Sequence, residues 1–580
     1  MTTTTTTELV DPITLGVIWR GLTAAANDAG TTLARTGYSE AIREGRDFSV
    51  GLFDSRARMT AQGDFSPGHL GSMPTAVKNV LDYYPTETLK PGDAIMLNDP
   101  WMGSGHLPDF FLVSPAFLDG EIIGYTVCCA HMIDVGGAVP GSQAVTGITD
   151  QFQEGIRFLP VRVWNEGEPN VELFRTLAAN IRIPDKLIGD LKAMRNCNRL
   201  GELRLQGLVR QFGRKIYEAA CDEILVRSEQ AMREAIAEIP DGTYHAVDHF
   251  DDCGPDTEPI RLEVTVTVQG DEVILDFAGT SPQTRSGING VEQYVRAWCY
   301  FTIKVLTLGS SVPQNAGCIA PIKWTAPEGS VLNAKPPAGT GARAVMQQRI
   351  FDVLMQAFAT AIPDRVMAAS SHFSNPVIGG IDPRTGKNFV YYEVVVGGFG
   401  AFGFKDGTEA MFAVANIDTI PTEVNENSYP IIVERYEFLR GTAGAGKFRG
   451  GHGVRKDIRL LGDSMQLTGL TDRQTFRPPG LLGGSDGTLG ATVLNPDTPE
   501  ERKLHSKGIY DVEPGALLST NLAGAAGFGN PFEREPRRVA ADVRAGLLTP
   551  EAAREEYRVV LDQSGSIDES ATRELRSPQR

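Results

Sequence analysis

The chain has 580 residues, with 55 basic and 72 acidic side chains and a formal net charge of −17. Single cores stop growing near about 250–300 residues, so a chain of this length is expected to form several domains. The acidic balance, without any run of Lys and Arg, argues against nucleic acid and against an anionic membrane surface as partners.

The chain begins MTTTTTTELVDP, which lacks the basic and apolar segments of a signal peptide. No run of about 18 apolar residues occurs anywhere in the sequence. We therefore expect a cytoplasmic protein. The seven cysteines are scattered, odd in number and without a C-x-x-C pair, which is typical of reduced, mostly buried thiols rather than disulfides or a zinc knuckle.

In chain order, the first predicted element is an amphipathic helix within residues 12–39, where apolar residues recur at helical spacing. From residue 48 to residue 135, short apolar runs broken by Asp-Gly, Pro and Gly predict strands with hairpins. Residues 173–239 are charged and helix-forming. Within them, residues 191–239 predict two long helices, and the whole segment can equally be an oligomer or subunit interface.

The second half of the chain alternates between strands and helices. Residues 242–280 predict strands with a hairpin around Gly270, and residues 342–362 predict a helix with one apolar face. Glycine dominates residues 390–530, which contain strand patterns such as FVYYEVVV. A last helix is predicted at TPEAAREEYRVVL, with Thr549 as its N-cap, followed by a solvated tail.

The stretch GTAGAGKFRGG, residues 441–451, nearly matches a phosphate-binding loop. Phe448 stands where such a loop needs a Ser or Thr to hold magnesium. The glycines that follow disfavour the helix that would complete the phosphate cradle. We therefore predict a glycine-rich surface loop between strands, with ATP bound elsewhere if it is used at all.

The most informative segment is residues 98–137, which hold two H-x-x-D elements: His106 with Asp109, and His131 with Asp134. Two apolar runs separate these elements and meet at an Asp-Gly dipeptide, a strong signal for a β-hairpin. A hairpin brings the two ends of its strands together, so both H-x-x-D elements are expected at the same open end.

The turn also predicts the register of this hairpin. A two-residue turn pairs Leu118 with Glu121, which places Asp109 opposite Ala130 and next to His131. Side chains opposite each other in such a ladder have Cβ atoms about 4.5–5.5 Å apart. The imidazoles and carboxylates are therefore expected within reach of one another.

Two imidazoles and two carboxylates that converge in this way suit a divalent metal. Nitrogen and oxygen ligands without thiolate favour Zn²⁺, Mn²⁺ or Fe²⁺ over Ca²⁺ or copper, and the pattern leaves the choice among the three open. Three or four protein ligands leave room for a water, whose pKa a divalent ion lowers enough to give hydroxide near neutral pH. The alternative is structural: each histidine caps a strand end and each aspartate shapes a turn.

Four further residues are candidates for the site. Glu44 and Asp47 precede a strand and can supply another carboxylate, or form solvated ion pairs with neighbouring arginines. His69, in the loop-like segment SPGHLGSMP, can bind substrate or be an ordinary exposed residue. Arg343 lies where PPAGTG leads into a helix and can help bind an anion or a carbonyl oxygen, or simply belong to a helix cap.

From these patterns we predict a mixed α/β (α+β), multidomain fold with a β-hairpin-rich metal-site domain and helical segments. The predicted units are an N-terminal α/β metal-site domain, a helical segment and possible interface, a central α/β domain, a glycine-rich β domain, and a C-terminal helix with a tail. Their ranges, in that order, are 1–170, 171–240, 241–430, 431–530 and 531–580.

Many ordered blocks of the sequence resemble the hydantoinase B/oxoprolinase family. They include DPITLGVIWRGL, REGRDFSVGLFD, GHLGSMP, LNDPWMGSGHLPD, AHMIDVGG, DFAGTSPQTRSGINGV, NAGCIAPI and KFRGGHGV. The family contains the B subunits of ATP-dependent N-methylhydantoinases and 5-oxoprolinases and the related subunit of acetone-type carboxylases. One departure is Gly-Ser-Gly before the first histidine, where the family usually has Gly-Gly-Thr.

The resemblance implies a partner A subunit with an actin-like ATPase fold, which binds ATP and phosphorylates the carbonyl of a cyclic amide. It implies metal ligands at His106, Asp109 and His131. Further ligand candidates, one of which takes a proton as general base, are Asp134, Glu44 and Asp47.

We therefore predict the B-type subunit of an ATP-dependent cyclic amidohydrolase, acting in a hetero-oligomer with a hydantoinase A-type ATPase subunit. It would hydrolyse a carbonyl-phosphorylated lactam or hydantoin-like ring at a divalent metal. Two alternatives stay open: a subunit of an ATP-dependent acetone- or acetophenone-type carboxylase, and a non-catalytic scaffold for the ATPase subunit.

Overall fold

The structure is a computed structural model that describes residues 10–411, 414–415 and 417–577. Its first sheet is antiparallel and has seven strands in the order β2-β1-β5-β4-β3-β6-β7. The strands are β1 (Phe48–Asp54), β2 (Met59–Gln62), β3 (Ala94–Leu97), β4 (Asp109–Leu118), β5 (Glu121–His131), β6 (Val161–Asn165) and β7 (Glu168–Pro169).

Helices cover both faces of this sheet. They are α1 (Pro12–Thr36), α2 (Glu40–Arg43), α3 (Pro67–Tyr83), α4 (Val171–Asn180), α5 (Pro184–Phe212) and α6 (Arg214–Ile236). Alternate residues of β4 pack to opposite sides: Phe111 lies in the apolar cluster with α3, whereas Leu112 lies in the cluster with α1 and α5. Residues 191–239 form the two predicted helices, within α5 and α6, while α4 precedes them in the charged segment. Helix α5 packs along the sheet.

The β4–β5 hairpin forms as predicted, with one correction to its register. Leu118 pairs with Glu121, but the register shifts between Ala116 and Phe117, so Asp109 lies opposite His131 instead of Ala130. The shift is a β-bulge, which places one extra residue, Ile123, in β5. Because paired residues share a face of the sheet, the bulge brings the two side chains directly together.

A second sheet of four strands packs against the central helices. Its order is β11-β10-β9-β8, built from β8 (Gly242–Phe250), β9 (Ile260–Gln269), β10 (Glu272–Asp276) and β11 (Ile322–Thr325). Gly270 makes the predicted hairpin between β9 and β10, with a φ of 62°. The helices are α7 (Glu292–Leu306), α8 (Ala316–Ile319) and α9 (Val345–Phe358), and α9 lies within the predicted 342–362.

The glycine-rich half of the chain forms three more sheets, with orders β12-β15, β14-β13-β18-β21 and β16-β17-β22-β19-β20. The first two use β12 (Phe373–Ser374), β13 (Val377–Asp382), β14 (Lys387–Tyr392), β15 (Val395–Val396), β18 (Asp463–Thr468) and β21 (Ile509–Val512). The third uses β16 (Ile431–Leu439), β17 (Gly453–Leu460), β19 (Ala491–Leu494), β20 (Arg502–Leu504) and β22 (Leu517–Asn521). The GTAGAGKFRGG segment connects the strands β16 and β17, which agrees with the predicted loop between strands.

Four helices complete the described chain: α10 (Thr422–Ser428), α11 (Pro536–Arg544), α12 (Pro550–Tyr557) and α13 (Glu569–Arg576). Thr549 caps α12, accepting a hydrogen bond from the backbone N–H of Ala552. In the segment predicted as a tail, α13 is tied back by Arg576, which donates to the carbonyl of Tyr557. The mixed α/β prediction is confirmed. None of the helices described is long and apolar enough to cross a membrane.

The contact between α5 and the hairpin gives a stability test. A Cβ added at Gly201 would lie 2.4 Å from Thr126 Cγ2, whereas one added at Gly207, on the same helix, meets no described atom within 4 Å. We expect Gly201→Ala to lower the free energy of unfolding by about 1–3 kcal/mol through overpacking. Gly207→Ala should raise it by about 0.5–1 kcal/mol through helix propensity. Denaturant titration of both variants measures these free energies of unfolding. Equal changes in the two variants would contradict the described packing.

Candidate metal site

The site is built where the open end of the β4–β5 hairpin meets the start of β1. The backbone N–H of His131 donates to the carbonyl of Asp47 over 3.0 Å, which fixes the chain before β1 beside the hairpin. Asp109 and His131 face each other from the two hairpin strands. His106 lies in the loop that leads into β4, and His69 lies in the first turn of α3.

Three imidazoles surround the Asp109 carboxylate. Oδ1 lies 2.8 Å from His106 Nε2 and 3.1 Å from His131 Nδ1, and Oδ2 lies 3.2 Å from His69 Nε2. Oδ2 also accepts hydrogen bonds from the guanidinium of Arg343 and from the Ser104 hydroxyl. All of these side chains are buried, so their interactions are little screened by water.

The charges around Asp109 decide its ionisation. Burial alone would raise the pKa of Asp109, but the nearby His69 and Arg343 hold it well below its usual value. Burial, assisted by the charge of Arg343, lowers the pKa of His106 to about 4. The pKa of His69 is raised, because Asp109 outweighs the effect of burial. At neutral pH Asp109 is therefore anionic and His106 is neutral.

His106 carries the clearest sign that this group of residues fits a cation. Its Nδ1 lies 3.1 Å from the carbonyl oxygen of Gly341, which only accepts, so Nδ1 carries the proton of the neutral ring. The lone pair of Nε2 then faces Asp109 Oδ1, and Nε2 is buried without a hydrogen-bond partner in the described chain. Two acceptors 2.8 Å apart repel each other unless a cation lies beside them.

Two groups of side chains have the spacing of metal ligands, and they share Asp109. In one, the ligand atoms of His106, Asp109 and His131 lie within 4.8 Å of one another; the other combines His69 and Asp109 with Cys129. Burial raises the pKa of the Cys129 thiol well above its usual value, and Arg343 already engages Asp109 Oδ2. The first group therefore suits a divalent ion better than the second does.

A second carboxylate, Asp47, lies close to this group. Tyr392 donates a hydrogen bond of 3.0 Å to Asp47 Oδ2, and its ring stacks on that of His131 with 4.7 Å between centroids. Asp47 Oδ1 lies 4.0 Å from His69 Nε2. One oxygen of Asp47 is thus engaged by a hydroxyl, while the other faces His69.

Groups behind the histidines fix their orientation. The Gln143 amide lies 3.1 Å from His131 Nε2. Glu154 Oε1 accepts hydrogen bonds from the backbone N–H groups of Thr340 and Gly341, over 2.7 and 2.6 Å. These two bonds hold the loop before α9, whose Gly341 carbonyl contacts His106 Nδ1. Glu154 therefore acts on the orientation of His106 through this loop.

The side chains line a partly open cavity of about 40 Å³, which has room for water. One wall is the hairpin end, with Asp47, His69, His106, Asp109 and His131. The opposite walls come from much later in the chain: from α7, from α9 and its lead-in, and from the loops around β12 and β14. Their lining residues include Tyr294, Trp298, Arg343, Gln347, Phe373, Asn375, Tyr392 and Val394.

The structure brings together six of the eight residues singled out from the sequence: His106, Asp109, His131, Asp47, His69 and Arg343 all line the cavity. The Arg343 guanidinium also lies over the Tyr294 ring, 3.8 Å from its centroid.

Two of the predicted residues lie outside the cavity lining. Asp134 accepts from the backbone N–H groups of Gly136, Gly141 and Arg182 and from the Arg182 side chain, so it organises the loop after β5. Glu44 is about one-third exposed and lies 3.7 Å from Arg43. Tyr392, Gln143 and Asn375 are lining residues that the sequence analysis missed, because no local motif marks them.

Comparison with known proteins gives consistent matches over the whole chain. A family model described as Hydantoinase B/oxoprolinase matches residues 11–531. The caprolactamase subunit beta of Pseudomonas jessenii is 30% identical over 582 residues, covering 97% of this chain and 98% of that protein. The crystal structure of the ATP-dependent caprolactamase from the same species matches with a TM-score of 0.88 and 28% identity, covering 98% of this chain and 99% of that one.

A nucleotide-free acetone carboxylase structure also matches, with a TM-score of 0.89, covering 98% of this chain and 82% of that one. Its sequence is 19% identical to this chain, so the match indicates a shared fold alone.

The ligand group predicts metal content. We expect about one divalent ion per chain, because Arg343 holds the oxygen that a second ion would need. Asp109→Ala and His131→Ala should each lose the ion, measured by elemental analysis of folded protein. His245→Ala is the control, since His245 is half-exposed and pairs with Glu263 away from the cavity. Metal-free wild-type protein after incubation with Zn²⁺ or Mn²⁺, or two ions per chain, would contradict this assignment.

Glu154 predicts a pH dependence of stability. Burial raises the pKa of Glu154 from 4.5 to about 8, against the lowering effect of the Gly341 and Thr340 N–H groups. As pH rises from about 4.5 to 8, the unfolded chain releases this proton while the folded chain keeps it. The free energy of unfolding should therefore fall, by at most about 1.4 kcal/mol per pH unit.

Glu154→Gln cannot ionise and keeps an acceptor oxygen, so its stability should fall less steeply over the same range. Glu168→Gln, which changes an exposed carboxylate, is the control and should follow the wild-type profile. Urea titrations at several pH values measure both profiles. Identical slopes for Glu154→Gln and the wild type would show that Glu154 ionises normally in the folded protein.

Proposed function

Because the chain belongs to the hydantoinase B/oxoprolinase family, we propose that it is the B-type subunit of an ATP-dependent cyclic amidohydrolase. Its substrate would be a lactam or hydantoin-like ring. The observation that carries the proposal is the buried group of His106, Asp109 and His131 with a second carboxylate, Asp47, beside it. This arrangement supplies both a place for a divalent ion and a base for a water molecule.

The partner in this proposal is a hydantoinase A-type ATPase subunit, and the two form a hetero-oligomer. Support comes from the relative in Pseudomonas jessenii, which is named as the beta subunit of a caprolactamase. The crystallised caprolactamase of that species is described as ATP-dependent. ATP would be bound by the partner, which would transfer a phosphoryl group to the carbonyl oxygen of the ring.

His106, Asp109 and His131 would hold the divalent ion, for which their donors favour Zn²⁺, Mn²⁺ or Fe²⁺. When bound, such an ion supplies a water of lowered pKa and polarises a carbonyl group. Two features of the chain prepare the ligands. The Gly341 carbonyl keeps the proton of His106 on Nδ1, which leaves Nε2 free to bind, and Arg343 keeps Asp109 ionised.

Asp47 is the proposed general base. Tyr392 engages its Oδ2, so Oδ1 is the oxygen that takes a proton from the attacking water. The water oxygen forms a bond to the carbonyl carbon, the ring C–N bond breaks, and the nitrogen takes the proton that Asp47 received. The phosphoryl group stays on the acyl oxygen until a second water releases inorganic phosphate. The sum is one ring opened and one ATP hydrolysed, with two waters consumed.

Neither the carboxylase nor the scaffold alternative has comparable support. The likeness to acetone carboxylase indicates the fold alone. A scaffold has no need for buried acceptors that face each other without a proton, as His106 Nε2 and Asp109 Oδ1 do.

The proposal predicts ATP-dependent ring opening by the complex isolated through a tag on this chain. We expect Asp47→Asn to lower kcat by about 10²–10⁴-fold while metal content stays near that of the wild type. Glu44→Gln is the matched control: its carboxylate lies three residues earlier, outside the cavity, and activity should be unchanged. The assay follows loss of ε-caprolactam, hydantoin and 5-oxoproline.

Three outcomes would contradict this function. Ring opening by the chain alone without ATP would remove the need for a partner. A carboxylated product would favour the carboxylase alternative. Full activity of the complex with His131→Ala would favour the scaffold alternative.

A further inference from the structure

Asn375 is a buried amide in the cavity lining, with 2% of its surface exposed. Its Nδ2 donates to the backbone carbonyl of Glu393 over 3.1 Å. A carbonyl oxygen only accepts, so this contact fixes which end of the amide is nitrogen. Oδ1 is therefore turned away from Glu393, and it has no hydrogen-bond partner in the described chain.

The backbone around Asn375 is held firmly. Its N–H donates to the carbonyl of Leu470 over 2.8 Å, and the residues before it form β12, which pairs with β15. The Thr471 hydroxyl donates to the carbonyl of Phe373 over 2.7 Å. Asn375 is thus a firmly held residue of the cavity lining rather than a mobile side chain.

An unpartnered buried acceptor has a free-energy cost unless a donor meets it. The cavity of about 40 Å³ has room for water, and water is the donor that a ligand would displace. The neighbouring lining residues Phe373, Val394 and Trp298 are largely apolar and suit the methylene part of a ring. A donor attached to an apolar ring satisfies both the oxygen and its surroundings.

We infer that Asn375 is a specificity-determining residue whose Oδ1 accepts a hydrogen bond from the ring N–H of the substrate. The substrate class is then a cyclic amide with an unsubstituted ring nitrogen, and an N-methyl ring is rejected because it leaves Oδ1 unpaired and crowds it. This inference rests on the proposed function, since it concerns the same cavity.

The test compares 2-piperidone with N-methyl-2-piperidone as substrates of the complex with ATP. We expect the wild type to prefer the N–H ring in kcat/KM by at least about tenfold, the scale of one neutral hydrogen bond. Asn375→Leu removes the acceptor at similar volume and should reduce that preference by roughly tenfold, mainly through KM. Asn375→Ala gives the same comparison if the leucine variant does not fold.

Asn425→Leu is the matched control. Asn425 is also a buried amide bonded to Glu393, with an unpartnered Oδ1, but it does not line the cavity. The Asn425→Leu variant should prefer the N–H ring in kcat/KM by the same factor as the wild type. Equal use of both rings by the wild type, or an unchanged preference in both Asn375 variants, would overturn the inference.

Binding measurements separate this inference from the proposed function. If the wild-type complex opens neither ring, nor any other cyclic amide, the proposed function fails. Calorimetric titration of the metal-loaded chain with each piperidone then decides the inference by itself. Tighter binding of the N–H ring, lost in Asn375→Leu and kept in Asn425→Leu, would support it. Equal affinity for the two rings, or no binding of either, would overturn it.

Discussion

The structure depends on keeping one buried carboxylate, that of Asp109, ionised inside the protein. An isolated charge at this depth would be too costly, so it needs partners on both oxygens. Arg343 and Ser104 hold one oxygen, while His106 and His131 approach the other. The first set neutralises the charge, and the second leaves a gap that suits a cation. The rest of the fold can be described by how it delivers these groups to one point.

The parts of this arrangement that lie close together in sequence could be predicted. The Asp-Gly turn and the apolar runs beside it predicted the hairpin, and the hairpin placed Asp109 near His131. The register was wrong by one residue, because a β-bulge is a tertiary adjustment with no strong local signature. Here the bulge makes the pair closer than predicted, since it places the two residues directly opposite each other.

The other side of the cavity could not be predicted from sequence patterns. Tyr392 and Asn375 follow the hairpin by more than two hundred residues, and nothing in their local sequence distinguishes them from structural polar residues. Asp134 shows the reverse case. Its H-x-x-D spacing matches that of Asp109, but its carboxylate is fully used by backbone N–H groups and Arg182. Spacing identifies candidates, whereas the hydrogen-bond partners that decide their roles come from the whole fold.

The order of these groups along the chain has a consequence for biosynthesis. The three proposed ligands lie within the first 131 residues, whereas the walls around them are made much later, up to Ile417. Domains fold from the N-terminus as the ribosome proceeds. The ligand group therefore emerges with one side open to the surrounding solution and becomes buried when the later walls dock. The nascent chain thus has a period in which an ion can reach its ligands without passing through a finished wall.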